Sequence, residues 1–375
     1  MSEYQYYEFQ AIDKPLTAAE QRKINALSSR VELTSTTAKF VYSYRDFPAN
    51  AEEILAQHFD AMLYMANWGT RQLMFRFPRS VIKVETLTPY CVLDMISTNV
   101  TKTHIILDID FSEVDAGSWI EGEGWLPSMV SLRRDLLRGD LRVLYLAWLK
   151  ASVEYGGNED EDQLEPPIPD NLQTLSAPLK SFVELFEIDP HLIKTAATAS
   201  KPAKETDTFM TEPEKWIDKL PLAERNQFLV RLAKGEPNVD IQLLNRLREL
   251  AYPQFPQPSV SAPRRGVAEL EKSAREEFET EQERQRQAAE AAKIKELDAL
   301  KHKAPQIWKE ITALIERKQS KPYDEAVTLL VKLRELAEYM GKLDEFNTRL
   351  DKLHQQYTRR PGLLNRLRQA KLITT

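Results

Sequence analysis

The sequence of 375 residues has one cysteine, 11 glycines and 5 histidines, and no apolar run as long as a membrane span. A single cysteine excludes an intramolecular disulfide scaffold and a zinc or iron–sulfur site built from several cysteines. So few glycines, in a chain with 42% hydrophobic residues, exclude collagen-like and disordered proteins. Because a bilayer span needs roughly 18–20 apolar residues, we expect no membrane partner.

Motifs that would indicate a reaction are also missing. The sequence contains no G-x-x-x-x-G-K-[ST], G-x-G-x-x-G or G-x-S-x-G string. Each histidine occurs singly, and none lies within metal-ligand spacing of another histidine or of the cysteine. We therefore expect no cofactor and no catalytic role. The N-terminal residues lack the basic and apolar regions of a secretory signal, so we expect a cytoplasmic protein.

Residues 1–125 are predicted to form an α+β domain. Aromatic and β-branched residues predict strands at 4–12, 31–44, 71–77 and 103–111. Helix-capping residues precede two predicted helices, Thr17 before a helix at 18–27 and Asn50 before an apolar stripe that extends to residue 66. This alternation of strands and helices favours an α+β sandwich, with a ferredoxin-like sandwich as one possibility.

Helical patterns dominate the rest of the chain. Helical segments are predicted at 126–200 and 211–251, and a proline-rich linker at 252–264 separates them from the C-terminal third of the chain. One long polar helix is predicted at 265–303, because 279–293 contains no large apolar residue. Pairing of this helix as a coiled coil stays open, although its apolar seam fails. A basic helical hairpin or bundle is predicted at 304–375.

Charge is distributed unevenly along the chain. Residues 264–375 hold 24 basic and 19 acidic residues, whereas 1–263 have a net charge of −11. No acidic residue follows Asp351. The cations beyond it are candidates for binding nucleic acid or a protein partner, with a solvated surface of no specific role as the third interpretation. These candidates are Lys352, Arg359, Arg360, Arg366, Arg368 and Lys371.

Four further positions are examined for specific chemistry. Asp108 and Asp110 alternate along a predicted strand, so their side chains share one face. Two neighbouring carboxylates are able to hold Mg²⁺, but a solvent-facing strand that leads into an acidic loop has the same pattern. Trp68, in the string NWGT, is a candidate binding platform, with packing at the edge of the core as the alternative. Cys91 lies among apolar residues, which favours a buried thiol over a nucleophile.

Two resemblances accompany these patterns. Three strings in the N-terminal ~200 residues resemble a family of uncharacterised bacterial proteins, which implies a bacterial, cytosolic origin and no particular activity. They are YQYYEFQAIDKPLT, HFDAMLYMANWGTRQLMFRFP and EGEGWLPSMVSLRRDLLRGDLRVLYLAW. The C-terminal string YDEAVTLLVKLRELAEYMGKLDEFNTRLDKLHQQYTRRPGLLNRL is similar to helices of bacterial proteins that carry a SWIM-type zinc finger. The zinc motif itself is absent, so the likeness implies only a docking role toward protein or nucleic acid.

From these observations we predict a non-catalytic adaptor or subunit of a bacterial cytosolic assembly. The α+β domain and the basic bundle would tether partners, and the long helix would act as the spacer between them. A nucleic-acid-associated factor that uses the basic C-terminal helices is the alternative. A metal-dependent enzyme at Asp108 and Asp110 is the third hypothesis.

Overall fold

The computed structural model describes residues 4–44, 46–92, 94–112, 121–155, 164–202, 213–251 and 264–373. The chain divides into two compact units, Met1–Phe278 and Glu279–Thr375. The linker predicted at 252–264 lies outside the described residues, except for its last position.

The first unit begins with strands that alternate with short helices. The strands are β1 (Gln5–Gln10), β2 (Glu32–Leu33), β3 (Thr37–Tyr42), β4 (Ala61–Ala66), β5 (Arg71–Pro78), β6 (Ile96–Val100) and β7 (His104–Phe111). The helices among them are α1 (Ala18–Asn25), α2 (Ala51–His58) and α3 (Val84–Leu87). Helices then follow: α4 (Trp125–Met129), α5 (Leu132–Leu137), α6 (Arg142–Tyr155), α7 (Ala177–Leu185), α8 (Pro190–Ala197), α9 (Pro213–Ile217), α10 (Leu222–Ala233), α11 (Val239–Ala251) and the long α12 (Val267–Lys301).

These strands form one antiparallel sheet in the order β2-β3-β1-β4-β5-β7-β6. β3 and β4 are joined by α2 and flank β1, while β5 and β6 are joined through α3 and flank β7. Each arrangement is a split β-α-β unit, the connection from which ferredoxin-like sandwiches are built. The predicted α+β class is confirmed, and this sheet is wider than the four strands of a ferredoxin-like sandwich.

Helices bury both faces of the sheet over its centre. α1 and α2 cover the face that carries Phe9, Phe40 and Met62. Helices α4 to α8 cover the opposite face, which carries Leu63 and Phe75, and they share one hydrophobic core with it. The first turns of α12 contribute to this same core. Alternation along each strand therefore separates two cores that lie on opposite sides of the sheet.

The prediction of a helix from residue 51 to residue 66 is wrong for its second half. α2 ends at His58, and the remainder of the apolar stripe forms β4. This strand pairs with β1 on one side and with β5 on the other, and four of its six residues are fully buried or nearly so. Because a central strand is apolar on both faces, its residues also match the positions of a helical stripe.

Two smaller differences have local causes. The sequence does not predict β6, because this edge strand buries only Ile96 and is otherwise polar at most positions. At the start of the helical segment predicted at 126–200, a short break at Val130 and Ser131 separates α4 from α5.

A buried network of charged side chains joins α5 to the sheet. The carboxylate of Asp60 accepts hydrogen bonds from Arg76 at 2.7 Å and from the backbone N–H groups of Ile12 and Asp13 at 2.7 and 2.9 Å. Arg133, only 2% exposed, donates to both carboxylate oxygens of Asp13, at 2.9 and 2.8 Å. Burial by itself would raise the pKa of Asp60, but the charges of Arg133 and Arg76 hold it below its ordinary value.

A second buried ion pair closes a long loop. Arg265 donates two hydrogen bonds of 2.8 Å to the carboxylate of Glu165, one hundred residues earlier in the chain. The hydroxyl of Tyr145, on α6, donates to the same carboxylate. The backbone of Leu164 also bridges that of Gly266. The residues just before α12 are therefore fixed to the core of the first unit.

The second unit is a helical bundle. Besides the C-terminal part of α12 it contains α13 (Ala304–Glu316), α14 (Ser320–Tyr339), α15 (Leu343–Gln356) and α16 (Pro361–Gln369). Its core is built around fully buried side chains such as Ile311, Leu330 and Leu367. The predicted long helix and C-terminal helices are confirmed, and 279–293 of α12 are almost entirely exposed. None of the helices in the described part of the chain is both long and apolar enough to cross a membrane.

Replacing Arg133 by Met should lower the free energy of unfolding of the first unit by about 3–5 kcal/mol, because it leaves Asp13 and Asp60 buried with one guanidinium fewer. Urea unfolding followed by tryptophan fluorescence measures this, since five of the six tryptophans belong to the first unit.

Arg134→Met, on the same helix, is the matched control. The side chain of Arg134 is 58% exposed where it pairs with Asp240, and exposed ion pairs contribute roughly 0–1 kcal/mol. Equal effects of the two substitutions would contradict the role that we assign to the buried network.

Candidate functional site

The helix α10 turns its apolar side to solvent. None of its residues is buried. Leu222, Leu229 and Val230 are 63%, 58% and 52% exposed, and Leu232 is also exposed. Leu222, Leu229 and Ala233 are seven and four residues apart, so they form one stripe along the helix. Val230 lies beside Leu229 on the same exposed side, and we call the exposed surface of Leu222, Leu229, Val230 and Ala233 the α10 stripe.

The opposite side of α10, which faces the protein, is held by polar contacts. Glu224 accepts a hydrogen bond of 2.8 Å from Arg246, and Arg231 donates one of 2.8 Å to Gln242. Both partners lie on α11. Phe228 lies on this inward side as well, with the guanidinium of Arg231 5.9 Å from its ring centre.

This orientation is the reverse of the usual one. A helix on the surface of a globular protein normally packs its apolar stripe inward and exposes its charges. Here the ordinary amphipathic pattern is present, but it is rotated so that the charged side packs against α11. Exposed apolar side chains grouped on one side of a helix mark interaction sites on folded proteins, and here the polar Asn226 lies between Leu222 and Leu229.

The second unit contains a groove of about 590 Å³ between α12 and α14. Leu297 and Leu300 of α12 and Val327 and Val331 of α14 line its apolar part. Two long ion pairs join the helices across it. They are Lys293 with Glu335 at 3.9 Å and Lys332 with Glu296 at 4.0 Å. The groove is thus apolar at its base and charged at its edges.

Two of the six candidate C-terminal cations hold the bundle together. The guanidinium of Arg360 pairs with Glu316 at 2.9 Å, lies 4.5 Å from the ring centre of Tyr357, and donates to the carbonyl of Ile315. Arg366 pairs with Asp324. These contacts tie α16 and the turn before it to α13 and α14, so both arginines have a structural role.

The other four candidates are exposed but do not form one surface. Arg359 lies in the turn before α16, and Lys352 lies on α15. Arg368 donates a hydrogen bond to Asn365 at 3.1 Å, near the end of α16. The carbonyl of Lys371 accepts a hydrogen bond of 3.1 Å from Arg334, far along α14. The sequence places six cations together, whereas the structure distributes them along the bundle.

Three cations outside these six candidates lie near the turn that Arg360 contacts. Arg317 and Lys318 belong to the turn from α13 into α14, and Lys321 is the second residue of α14. The contacts of Arg360 bring this turn against the turn before α16. The run RKQSK, at 317–321, was a usable signal in the sequence.

Asp108 and Asp110 lie on the same face of β7. The amide of Gln72 on β5 donates to both oxygens of Asp108 at 3.0 Å, and Ser112 donates to Asp110. Burial and the charge of Asp110 raise the pKa of Asp108 to about 7, although the Gln72 hydrogen bond opposes this. Asp108 therefore changes its protonation state near neutral pH.

Among the described residues, the structure does not add a third metal ligand to Asp108 and Asp110. Within the described ranges, no group of three or more histidine, cysteine, aspartate or glutamate side chains is able to hold a metal ion. Glu52 of α2, whose charge also raises the pKa of Asp108, accepts a hydrogen bond of 2.6 Å from Asn99.

Trp68 lies in the turn between β4 and β5 and is 44% exposed, and its role as a binding platform stays a prediction. Gly69 beside it has a φ of +104°, a conformation that glycine adopts readily. Cys91 is partly buried, and burial raises the pKa of its thiol.

Asp110→Asn should lower the pKa of Asp108, because it removes a neighbouring negative charge. A carbon-detected NMR titration of the side-chain carboxyl groups measures this value directly. Glu53→Gln is the control for loss of one acidic charge, since Glu53 is exposed and does not contribute to the pKa of Asp108. An ordinary aspartate pKa at position 108 of the unmodified protein would contradict the prediction.

The raised pKa of Asp108 also predicts that the stability of the folded protein depends on pH. A raised carboxyl pKa stabilises the folded protein below the ordinary aspartate pKa, and this contribution is lost as the pH rises toward 7. Asp108→Asn should lack that part of the pH dependence in thermal unfolding measured between pH 4 and 8.

No protein-family model, no curated protein and no solved structure matches the chain. The resemblances to uncharacterised bacterial proteins and to proteins with SWIM-type zinc fingers therefore remain predictions. Any functional conclusion depends on the surfaces and charges described above.

Proposed function

We propose that this protein is a non-catalytic adaptor of a bacterial cytosolic assembly and that the α10 stripe docks on a partner protein. The single observation that carries the proposal is the reversed orientation of α10, whose charged side packs on α11 while its apolar side faces solvent. A helix that is required only for folding gains nothing from this orientation, because exposed apolar surface adds no stability to the free protein.

The partner's contact surface has to be apolar. Burying a large aliphatic side chain contributes roughly 1.5–3 kcal/mol, and the exposed parts of Leu222, Leu229 and Val230 are somewhat more than half of each residue. These three residues together therefore contribute about 3–5 kcal/mol. Micromolar affinity needs about 8 kcal/mol, so the stripe is one part of a larger contact.

The groove between α12 and α14 supports a second point of attachment. Its apolar base and charged edges suit an amphipathic helix of a partner. Because both surfaces belong to one chain, occupation of one surface raises the effective concentration of a linked partner at the other. Two weak contacts joined in this way give useful affinity, which is the mechanism of an adaptor.

The double substitution Leu229→Gln and Val230→Gln should remove partner binding and leave folding unchanged, because neither side chain is part of a core. Partners that co-purify with the full chain are to be quantified by mass spectrometry. A photoreactive benzoylphenylalanine at position 230 identifies the protein that touches the stripe.

The control variant carries Ile12→Gln and Val100→Gln. These two aliphatic residues lie outside α10 and are also exposed, at 41% and 42%. The proposal predicts a partner that is retained by this variant and lost from the α10 variant. Identical sets of partners would contradict it. Crosslinking at position 230 only to a second copy of the chain would also contradict it, since the stripe would then serve self-association.

A further inference from the structure

Two turns meet at one end of the bundle in the second unit. They are the turn from α13 into α14 and the turn from α15 into α16. Arg360 spans them by donating to the carbonyl of Ile315 and to the carboxylate of Glu316, at 2.9 Å for the latter. Arg366 spans them a second time by donating to the hydroxyl of Ser320 at 2.6 Å and to Asp324. The relative placement of the two turns is therefore fixed by four polar contacts.

Exposed cations surround this junction. We call Arg317, Lys318, Lys321 and Arg359 the turn cluster. All four are exposed, and none of their side chains makes an ion pair or hydrogen bond with any residue that the structure describes. Two of the acidic residues near the junction are paired with arginines, and a third, Glu325, is exposed one helical turn after Lys321, so the four cations outnumber the unpaired acid. The two paired acids are Glu316, paired with Arg360, and Asp324, paired with Arg366.

The helix ends reinforce this positive charge. α14 begins at Ser320 and α16 begins at Pro361, so the N-terminal ends of two helices lie at the junction. Neither helix has an acidic residue in its first turn, and neither has a side-chain hydrogen bond that caps it. The partial positive charge of each helix N-terminus therefore adds to that of the turn cluster.

We infer that the turn cluster binds the phosphate backbone of nucleic acid. Interfaces with proteins depend on apolar and aromatic anchors, and the large exposed apolar side chains of the described residues all lie outside 315–324 and 357–366. The junction offers charge and hydrogen-bond donors only. Lysine and arginine at exposed positions are the groups that neutralise backbone phosphates without recognising a base sequence.

This surface differs from the C-terminal string of cations. The carbonyl of Lys371 is bonded to Arg334, which follows Ser320 by 14 residues on α14 and hence by roughly 20 Å. That distance is about twice the screening length at 0.1 M salt, so Lys371 contributes little to the potential at the turn cluster. The binding surface thus takes one member, Arg359, from the cations after Asp351, and three members from the other turn and the first turn of α14.

The test measures the binding of the full chain to a fluorescent single-stranded 15-mer by anisotropy between 50 and 200 mM NaCl. Four neutralised phosphates predict a slope of log K against log salt of about −3 and a loss of affinity of about 50-fold over this range. The variant that carries Arg317→Gln, Lys318→Asn, Lys321→Gln and Arg359→Gln should lose this binding. Asn is chosen at position 318 because its φ of +57° suits asparagine.

A matched variant removes four other exposed cations of the second unit, through Lys303→Gln, Lys352→Gln, Arg368→Gln and Lys371→Asn. It has the same net charge as the turn-cluster variant and should bind as the unmodified protein does. Arg359→Gln alone should reduce the slope by about 0.7, which keeps the test valid if the fourfold variant folds poorly.

Three results would overturn the inference. One is the absence of binding at 50 mM NaCl. Another is loss of binding in the matched variant with retention in the turn-cluster variant. The third is equal displacement of the oligonucleotide by polyglutamate of the same charge, which would identify an acidic protein as the partner.

Discussion

Asp60 lies between the end of α2 and the start of β4, and several parts of the fold depend on its hydrogen bonds. Its backbone N–H donates to the carbonyl of Gln10 and its own carbonyl accepts from the N–H of Arg76, both at 2.9 Å, so it begins the pairing of β4 with β1 and β5. Its carboxylate meanwhile holds the residues after β1 and the guanidinium of Arg76. A buried carboxylate with so many roles is tolerated only because Arg76 and Arg133 oppose its charge, since an uncompensated buried ion costs several kcal/mol.

Local signals in the sequence were sufficient where the cause of a structure is local. The capping box at Thr17 and the Asn50 cap both lie where the sequence predicts them, because the bonds that they make span three residues. The predicted helix through 61–66 failed because β4 owes its conformation to β1, some fifty residues away. Asp60 and Arg76 were visible as lone charges in apolar strings, HFDAML and LMFRFP, but nothing local pairs them with each other.

The candidate surfaces show the same limit. Periodicity predicts that α10 is an amphipathic helix, yet it contains no information on which side faces the protein. That choice depends on Arg246 and Gln242 of α11, which receive the charged side. Likewise, the cations at 317–321 and at 359 form separate runs in the sequence, and the contacts of Arg360 and Arg366 bring them together.

Arginine serves as the internal crosslink of both units. Arg133, Arg265 and Arg360 each use several N–H groups to join segments that are far apart in the chain, and each is at least partly buried. A planar guanidinium with five donors suits this task better than the single ammonium of lysine. Exposed cations such as Lys318 and Lys321, in contrast, contribute to the electrostatic potential at the surface.

The attachment of α12 to the first unit has a mechanical consequence. Arg265 is bonded to Glu165, and Val267 and Leu270 are buried in the core directly after it, so the start of the helix is anchored by an ion pair and by apolar packing. A tensile load along α12 would act on this anchor before it reached the sheet. Bidentate ionic contacts and buried side chains would then have to break together, which makes the start of the helix a strong point under force.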